Sequence, residues 1–241
     1  MRYVISIALM LLLGASQAQA QPTSLSWQGL FIAGDDSIAV FDNSQNALVN
    51  VLTARGLATA DRYTSTRRTA KQQPDVKLLT DERLDALATQ TIAAEGEGCL
   101  VHLTSHGLDG HGFYLALGGG TYLDPDDLDA LLDSACGEQP TVVLISACYS
   151  GQFITDVMQA PNRLILTAAA ADRPSFGCSA DDTYTYWDGC LIAELPRYKT
   201  WGRLYDGIKD CITEKEAAVG AEPSLPQAWF GGDSENWRIL R

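Results

Sequence analysis

Two apolar segments of the chain end at residues that can carry out nucleophilic chemistry. "CLVHLTSHG" ends at His106 and Gly107, and "VVLISACYSG" runs through an apolar stretch and ends at Cys148. A thiolate is a strong nucleophile, and a neighbouring imidazole can take up its proton and later protonate a leaving amine. The pair of endings therefore predicts thiol-dependent acyl transfer at a site formed by His106 and Cys148.

Glycines follow both candidate residues closely. Gly107 allows a sharp turn after His106 and exposes its own amide, and Gly151 frees the turn after Cys148 to enter the next segment. The amides of Gly107 and Cys148 can together bind the oxyanion of a tetrahedral intermediate. We therefore expect these two amides to form an oxyanion hole.

Other interpretations of the same residues remain open at this stage. His111, in the same "HGLDGHG" stretch, is an alternative base, and His102 lies in the middle of its segment as a packing residue. Cysteine is also among the most frequently buried residue types, so Cys148 alone would more often be structural. A GxSxG motif is absent around "ACYSGQ", which argues against a hydrolase that uses Ser150 as its nucleophile.

The elements that must position these residues alternate between strand and helix. Unbroken apolar runs are typical of strands covered on both faces, as in parallel sheets. Such runs lie at 29–34, 99–105, 141–147 and 163–170, with helical patterns between them and a hairpin near the Gly triplet 118–120. This predicts an α/β fold with one open, mostly parallel sheet flanked by helices. Because ligands bind beyond the carboxyl ends of such strands, and sequential strands are usually neighbours, His106 and Cys148 should lie side by side.

The first residues are expected to be a signal peptide. Residues 1–20 carry one Arg, a short apolar centre and an Ala-Gln-Ala ending, which predicts cleavage after Ala20 and a single domain over 21–241. The product would be exported to the periplasm or secreted, with no membrane attachment after cleavage. The formal net charge of −13 and the lack of a basic cluster argue against a nucleic-acid partner.

The six cysteines suit an oxidising compartment, where most should pair. Cys99 begins one predicted strand and Cys136 ends the helix that leads into the neighbouring strand, so we predict a Cys99–Cys136 disulfide. Of the remaining cysteines other than Cys148, we prefer a Cys190–Cys211 pair. No Cys or His cluster has the spacing of a metal site, and no cofactor is expected.

The chain resembles the legumain family of cysteine peptidases, which has a caspase-like fold, and in particular its bacterial members. The resemblance is carried by Ser-His-Gly after one apolar strand and "SACYSG" after the next. "LFIAG", "AAADRPSFGC" and "PQAWFG" support it over about residues 27–233. It implies a caspase-like three-layer sandwich and a cysteine endopeptidase that acts on peptides or proteins through a thioester. By this resemblance His106 is the catalytic histidine, Cys148 the nucleophile and His111 a bystander.

The resemblance also implies substrate-binding positions, and the chain departs from the family at several of them. Ser146 stands where a Glu is common, Asp42 where an Arg binds the substrate side chain, and Asp36 where an Asn orients the histidine. The stretch "DDTYTYWDGC" falls at one wall of the family's primary pocket and contains Asp188. Two carboxylates without a balancing Arg would match a cation, so our hypothesis is cleavage after Arg or Lys.

Three other functions are consistent with parts of the pattern. An amine can capture the thioester, which would make the protein a transpeptidase or transamidase using the same pair. A caspase-like binding or scaffold protein with an inactive site is a second alternative. A nucleotide-binding domain is a third, but the glycines of "LGGGTY" lie in a hairpin rather than between a strand and a helix.

Overall fold

The computed structural model describes residues 25–240, and its centre is a seven-stranded sheet. In order across the sheet, the strands are β10 (Gln227–Phe230), β9 (Arg163–Thr167), β8 (Thr141–Ser146), β4 (Gly98–Thr104), β1 (Trp27–Ala33), β2 (Leu57–Thr64) and β3 (Val76–Leu78). All neighbours are parallel except β10, which runs antiparallel to β9.

Six helices and a smaller sheet accompany the main sheet in the described part of the chain. The helices are α1 (Val40–Ala54), α2 (Arg67–Gln72), α3 (Asp81–Leu87), α4 (Pro125–Ala135), α5 (Tyr186–Glu194) and α6 (Trp201–Val219). The smaller sheet is antiparallel and consists of β5 (Gly107–Leu108), β6 (Gly112–Leu115) and β7 (Thr121–Leu123).

Both faces of the main sheet are covered, because successive side chains of each strand point to opposite sides. Val101 and Val143 pack with α3, α4 and the smaller sheet on one face. Leu100 and Leu144 pack with α1, α5 and α6 on the other. The predicted α/β sandwich with a mostly parallel sheet is thus confirmed, and the lack of apolar alternation in the sequence is explained by burial on both sides.

The structure contains two disulfides, and both join cysteines that were predicted to pair. Cys99 and Cys136 have Cα atoms 5.6 Å apart and link the start of β4 to the end of α4. Cys190 and Cys211, with Cα atoms 5.8 Å apart, link α5 to α6. Cys148 and Cys178 remain free thiols.

Several elements differ from the sequence-based expectations. The region between the apolar runs 29–34 and 99–105, where helical patterns were expected, also contains the strands β2 and β3. Helix α5 was not predicted. It buries Asp188 together with Trp187, Cys190 and Leu191, so it lacks the polar face that marks an amphipathic helix in a sequence.

The predicted signal peptide, residues 1–20, lies outside the described residues. Within residues 25–240, no helix has the length and apolar character needed to cross a bilayer.

Candidate active site

Strands β4 and β8 end level with each other at one edge of the sheet. They are parallel neighbours, and their last paired residues are Thr104 and Ser146. His106 and Cys148 each follow two residues after that pair, and the Ser105 amide extends the pairing by donating to the Ser146 carbonyl at 3.1 Å. The topology therefore brings the two residues singled out from the sequence to the same edge.

The backbone after His106 touches the backbone of Cys148. A Cβ atom added to Gly107 would lie 1.9 Å from the carbonyl oxygen of Cys148 and 3.0 Å from its carbonyl carbon. Real contacts of a Cβ atom do not fall below about 3.0 Å, so no other residue fits here without moving one of the two chains. Glycine at this position is therefore required by a close approach of the two strand ends.

The pairing of β5 also decides where the Gly107 amide points. The Tyr114 amide donates to the His106 carbonyl at 3.0 Å, so the next pair, Gly107 and Phe113, is a non-hydrogen-bonded pair of the antiparallel ladder. In such a pair the backbone N–H points away from the partner strand. The Gly107 N–H is consequently directed away from β6 and is available to a bound group.

The turn that carries Cys148 is held in an uncommon backbone conformation. Tyr149 has φ of 57°, in the left-handed region that non-glycine residues seldom occupy, and its amide donates to the Arg173 carbonyl at 2.8 Å. The buried Ser150 hydroxyl accepts from the amides of Ala168 at 3.0 Å and Ala169 at 3.2 Å. Strain of this kind persists only where the surroundings fix it, and it is common at functional sites.

Gly151 completes this turn by close packing. An added Cβ would lie 2.5 Å from the Ala171 amide nitrogen, so the chain after β9 presses directly against this glycine. Gly151 was expected to free the turn, whereas in the structure it makes room for the neighbouring segment.

The thiol of Cys148 is half-buried and is surrounded by polar groups of one residue, Ser175. The Ser175 amide donates to Sγ at 3.3 Å and the Ser175 hydroxyl does so at 3.6 Å, while the thiol is 3.5 Å from the Ser175 carbonyl oxygen. Both groups present a hydrogen to the sulfur. Sequence reasoning did not select Ser175, although it lies in "AAADRPSFGC", one of the segments on which the family resemblance depended.

The second free thiol lies in the same region. Cys178 packs against the cluster formed by Ala33, Val40 and Phe41. Burial raises the pKa of Cys178, and the proximity of Cys148 raises it further. Both effects favour the protonated form of Cys178, which is not nucleophilic.

The His106 ring lies between an acidic and an aromatic side chain. Its Nε2 is 4.0 Å from Oδ1 of Asp35, and the ring meets Phe41 edge-on with centroids 5.1 Å apart. The Asp35 carboxylate is buried and fixed by Ser37, whose amide donates to it at 2.9 Å. Asp36, which the sequence analysis placed as the histidine-orienting residue, is exposed. The prediction was wrong by one position, because the turn of Asp35 around the Ser37 amide directs Asp35 inward instead.

Asp42 does not face the site. It lies in the first turn of α1 rather than in a loop, and its two carboxylate oxygens accept from the hydroxyls of Thr64 at 2.6 Å and Thr69 at 2.5 Å. With only 5% of its surface exposed, it connects α1 to β2 and α2. The expectation that Asp42 binds the substrate was therefore wrong.

Asp188 and Ser146 belong to a buried polar network between the main sheet and α5. Asp188 has no exposed surface, and its carboxylate is bonded to His102 Nε2 at 2.9 Å and accepts from the Thr104 hydroxyl at 2.7 Å. The Ser146 hydroxyl is 3.0 Å from that of Thr185, which in turn donates to Asp188 at 3.0 Å.

Burial alone would raise the pKa of Asp188, but its partners reverse the effect. The charge of His102 and the hydrogen bonds from His102, Thr104 and Ser146 hold the pKa of Asp188 below its usual value. The carboxylate is thus ionised and fully occupied within the protein. Asp188 therefore does not line a substrate pocket, and Ser146 is buried with it. The hypothesis of cleavage after Arg or Lys loses both carboxylates on which it depended.

The remaining histidine of the motif is on the surface. His111 is exposed in the turn between β5 and β6, and its ring lies 5.6 Å from that of Tyr122. Among residues 25–240, no group of three His, Cys, Asp or Glu side chains is close enough to hold a metal ion.

Comparisons with known proteins agree with this arrangement. The caspase-1 of Spodoptera frugiperda has a similar structure, with a TM-score of 0.56 over 94% of both chains at 12% identity, which shows the shared caspase-like fold. No curated protein sequence matches this chain significantly. The sequence model of the peptidase C13 family matches residues 62–232, a range that includes both His106 and Cys148. The chain therefore belongs to the peptidase C13 family of legumain-like cysteine peptidases.

Proposed function

We propose that this peptidase is an endopeptidase in which Cys148 attacks the scissile carbonyl and His106 acts as general base and general acid. The observation that carries the proposal is the contact between the two strand ends, where only a glycine at 107 fits against the Cys148 carbonyl. This contact supports the proposal because it brings the backbone of Cys148 against the residue that follows His106, and acyl transfer requires a nucleophile and a base held close together.

The first half of the reaction forms a thioester. His106 takes the thiol proton, the Cys148 thiolate adds to the carbonyl carbon, and the resulting oxyanion accepts from the amides of Gly107 and Cys148. Asp35, 4.0 Å from Nε2, stabilises the imidazolium that forms. His106 then gives its proton to the departing amine, and the C–N bond breaks.

The second half returns the enzyme to its starting state. His106 takes a proton from water as the water oxygen adds to the thioester carbonyl. The C–S bond then breaks to release the carboxylic acid, and His106 returns the proton to the Cys148 sulfur. The Ser175 amide and hydroxyl, which donate to the sulfur in the free protein, also stabilise the sulfur as it leaves.

The site of action that we propose is outside the cytosol. The two disulfides, Cys99–Cys136 and Cys190–Cys211, support export, since such bonds persist in oxidising compartments such as the periplasm or the extracellular space. Recovery of the mature protein from the periplasmic or extracellular fraction, with its amino terminus after Ala20, tests this part of the proposal.

Labelling with a peptidyl acyloxymethyl ketone, together with turnover of a mixed peptide library, tests the chemistry. Wild-type protein should be labelled on Cys148 and should cleave peptides. Cys148→Ala and His106→Ala should abolish cleavage, while His111→Ala, the matched surface histidine, should retain it. Loss of activity in His111→Ala with activity retained in His106→Ala would show that the assignment of the base is wrong.

A further inference from the structure

The smaller sheet carries a row of aromatic rings that begins at His106. In the register of this sheet, His106 lies opposite Tyr114, and Tyr114 lies opposite Tyr122. The ring centroids of His106 and Tyr114 are 6.5 Å apart, and those of Tyr114 and Tyr122 are 5.5 Å apart. Alternation along β6 places Phe113 and Leu115 in the core, so Tyr114 is on the outer face.

This row is accessible rather than covered by protein. Tyr122 is 37% exposed, Tyr114 is half-buried, and Leu108, on the same outer face of β5, is 41% exposed. An exposed group of aromatic and aliphatic side chains that continues directly from a reactive residue is typical of a ligand-binding surface.

The charge around the row is negative. Residues 105–123 contain no Lys or Arg, and Asp109 is exposed in the turn after β5. Asp35 and Asp36 lie close enough to Tyr114 to add to the effect of burial in raising the pKa of its phenol. Tyrosine faces next to carboxylates favour cations, through cation–π and Coulomb attraction together.

The position of His106 decides which part of a substrate meets this row. The imidazole must reach the amide nitrogen that it protonates, so the amine product departs on the His106 side of the thiol. Across the sheet, Ser175 follows β9 and contacts Cys148 from the other side, whereas the smaller sheet follows β4. The chain after the scissile bond therefore leaves over the row.

From this arrangement, which rests on the proposed peptidase function, we propose that Tyr114 and Tyr122 bind the substrate just after the scissile bond. The ligand is a basic side chain, Arg or Lys, at the first or second position of the departing segment. This binding does not depend on which residue precedes the scissile bond.

A set of internally quenched peptides tests the proposal. The peptides are identical up to the scissile bond and carry Arg, Leu or Glu at the two positions after it. An aminocoumarin amide of the same acyl segment reports turnover without any such residues. We expect kcat/KM to fall in the order Arg, Leu, Glu, with Tyr122→Leu reducing the ratio of Arg to Glu about two- to fivefold. The preference should also shrink at 0.5 M salt, because Asp36 and Asp109 are exposed.

The matched control is Tyr205→Leu, a tyrosine on α6 whose hydroxyl donates to the Pro226 carbonyl at 2.7 Å, and it should leave the ratio unchanged. Turnover of the aminocoumarin substrate together with equal rates for Arg and Glu peptides would overturn this inference and leave the peptidase proposal intact. A preference for Leu that Tyr122→Leu does not alter would overturn it as well. No turnover of any substrate by protein with a titratable Cys148 thiol would overturn both.

Discussion

Replacing Gly107 with alanine is the sharpest test of the site geometry. The added methyl group would meet two backbone atoms of Cys148, at 1.9 and 3.0 Å, and not the end of a flexible side chain. The contact with the carbonyl oxygen must open from 1.9 Å to at least 3.0 Å. The turn that carries Cys148 and the strand end after His106 therefore have to move apart by about 1 Å.

The expected loss is large in rate and small in stability. Misplacing a catalytic group by about 1 Å costs about 100-fold in rate. Displacing one oxyanion donor costs about 100- to 1,000-fold, or about 3–4 kcal/mol of transition-state stabilisation. Overpacking of a buried contact costs about 1–3 kcal/mol of folding free energy. We expect Gly107→Ala to lower kcat at least about 100-fold while Tm falls by about 2–12 °C.

The assay is steady-state hydrolysis of a cleaved peptide, with Tm measured by calorimetry and the amount of reactive thiol by alkylation of Cys148. The control is Gly189→Ala in helix α5, where an added Cβ would lie 3.7 Å from the Tyr184 Cβ and so fits. That variant should keep wild-type kcat. A Gly107→Ala enzyme with kcat within about threefold of wild type would refute the close approach and with it the geometry on which the mechanism depends.

Three further predictions concern charges and disulfides. Asp35→Asn should lower kcat at least about fivefold with little change in KM, because a carboxylate 4.0 Å from the ring contributes about 1 kcal/mol in bulk water and more where the carboxylate is buried; an unchanged kcat would contradict its role. Asp188→Asn should destabilise the fold by about 3–5 kcal/mol in urea at pH 7. Folding lowers the pKa of Asp188, so its contribution to the free energy of unfolding is complete above the unfolded value of 3.8 and is lost as the pH falls further. The difference in unfolding free energy between wild type and variant should therefore narrow only below pH 3.8. Replacing Cys99 and Cys136 together with serine should cost about 3–4 kcal/mol, from a sequence separation of 37 residues, while kcat at 25 °C is retained because the bond lies at the opposite edge of the sheet from the site.

The central part of the site was predictable because it follows from strands. Apolar runs fix where β4 and β8 lie, and parallel neighbours end at the same edge, so His106 and Cys148 could be placed together from the sequence. Disulfide bonding of Cys99 with Cys136 followed from the same topology, since the start of β4 and the end of the helix that leads into its neighbour β8 share the other edge.

The surrounding residues were not predictable, because they depend on loops and on the direction of single side chains. One residue separates the exposed Asp36 from Asp35, and only the turn at Ser37 decides which of them approaches His106. Asp188 was misplaced because its helix buries a carboxylate, and no sequence pattern distinguishes this from a pocket aspartate until the partner, His102, is known. Ser175 contacts the Cys148 thiol through its backbone amide as well as its hydroxyl. A contact made by a backbone amide does not require a particular residue type, so the sequence does not reveal it.

The segment between β9 and α5 is held at both ends by buried polar bonds, and this has a consequence for how the enzyme can diversify. Ser150 binds the amides of Ala168 and Ala169 at one end, and Thr185 is bonded to Ser146 and Asp188 at the other. Lengthening a loop between fixed ends is inexpensive, at about 0.6 kcal/mol for each doubling of its length. The whole segment between Ala169 and Thr185 can therefore be replaced by another of different length, provided that the contact of Ser175 with Cys148 is kept. Replacement of this segment, by evolution or by grafting, could then give new substrate preferences without a change in the turn that carries Cys148.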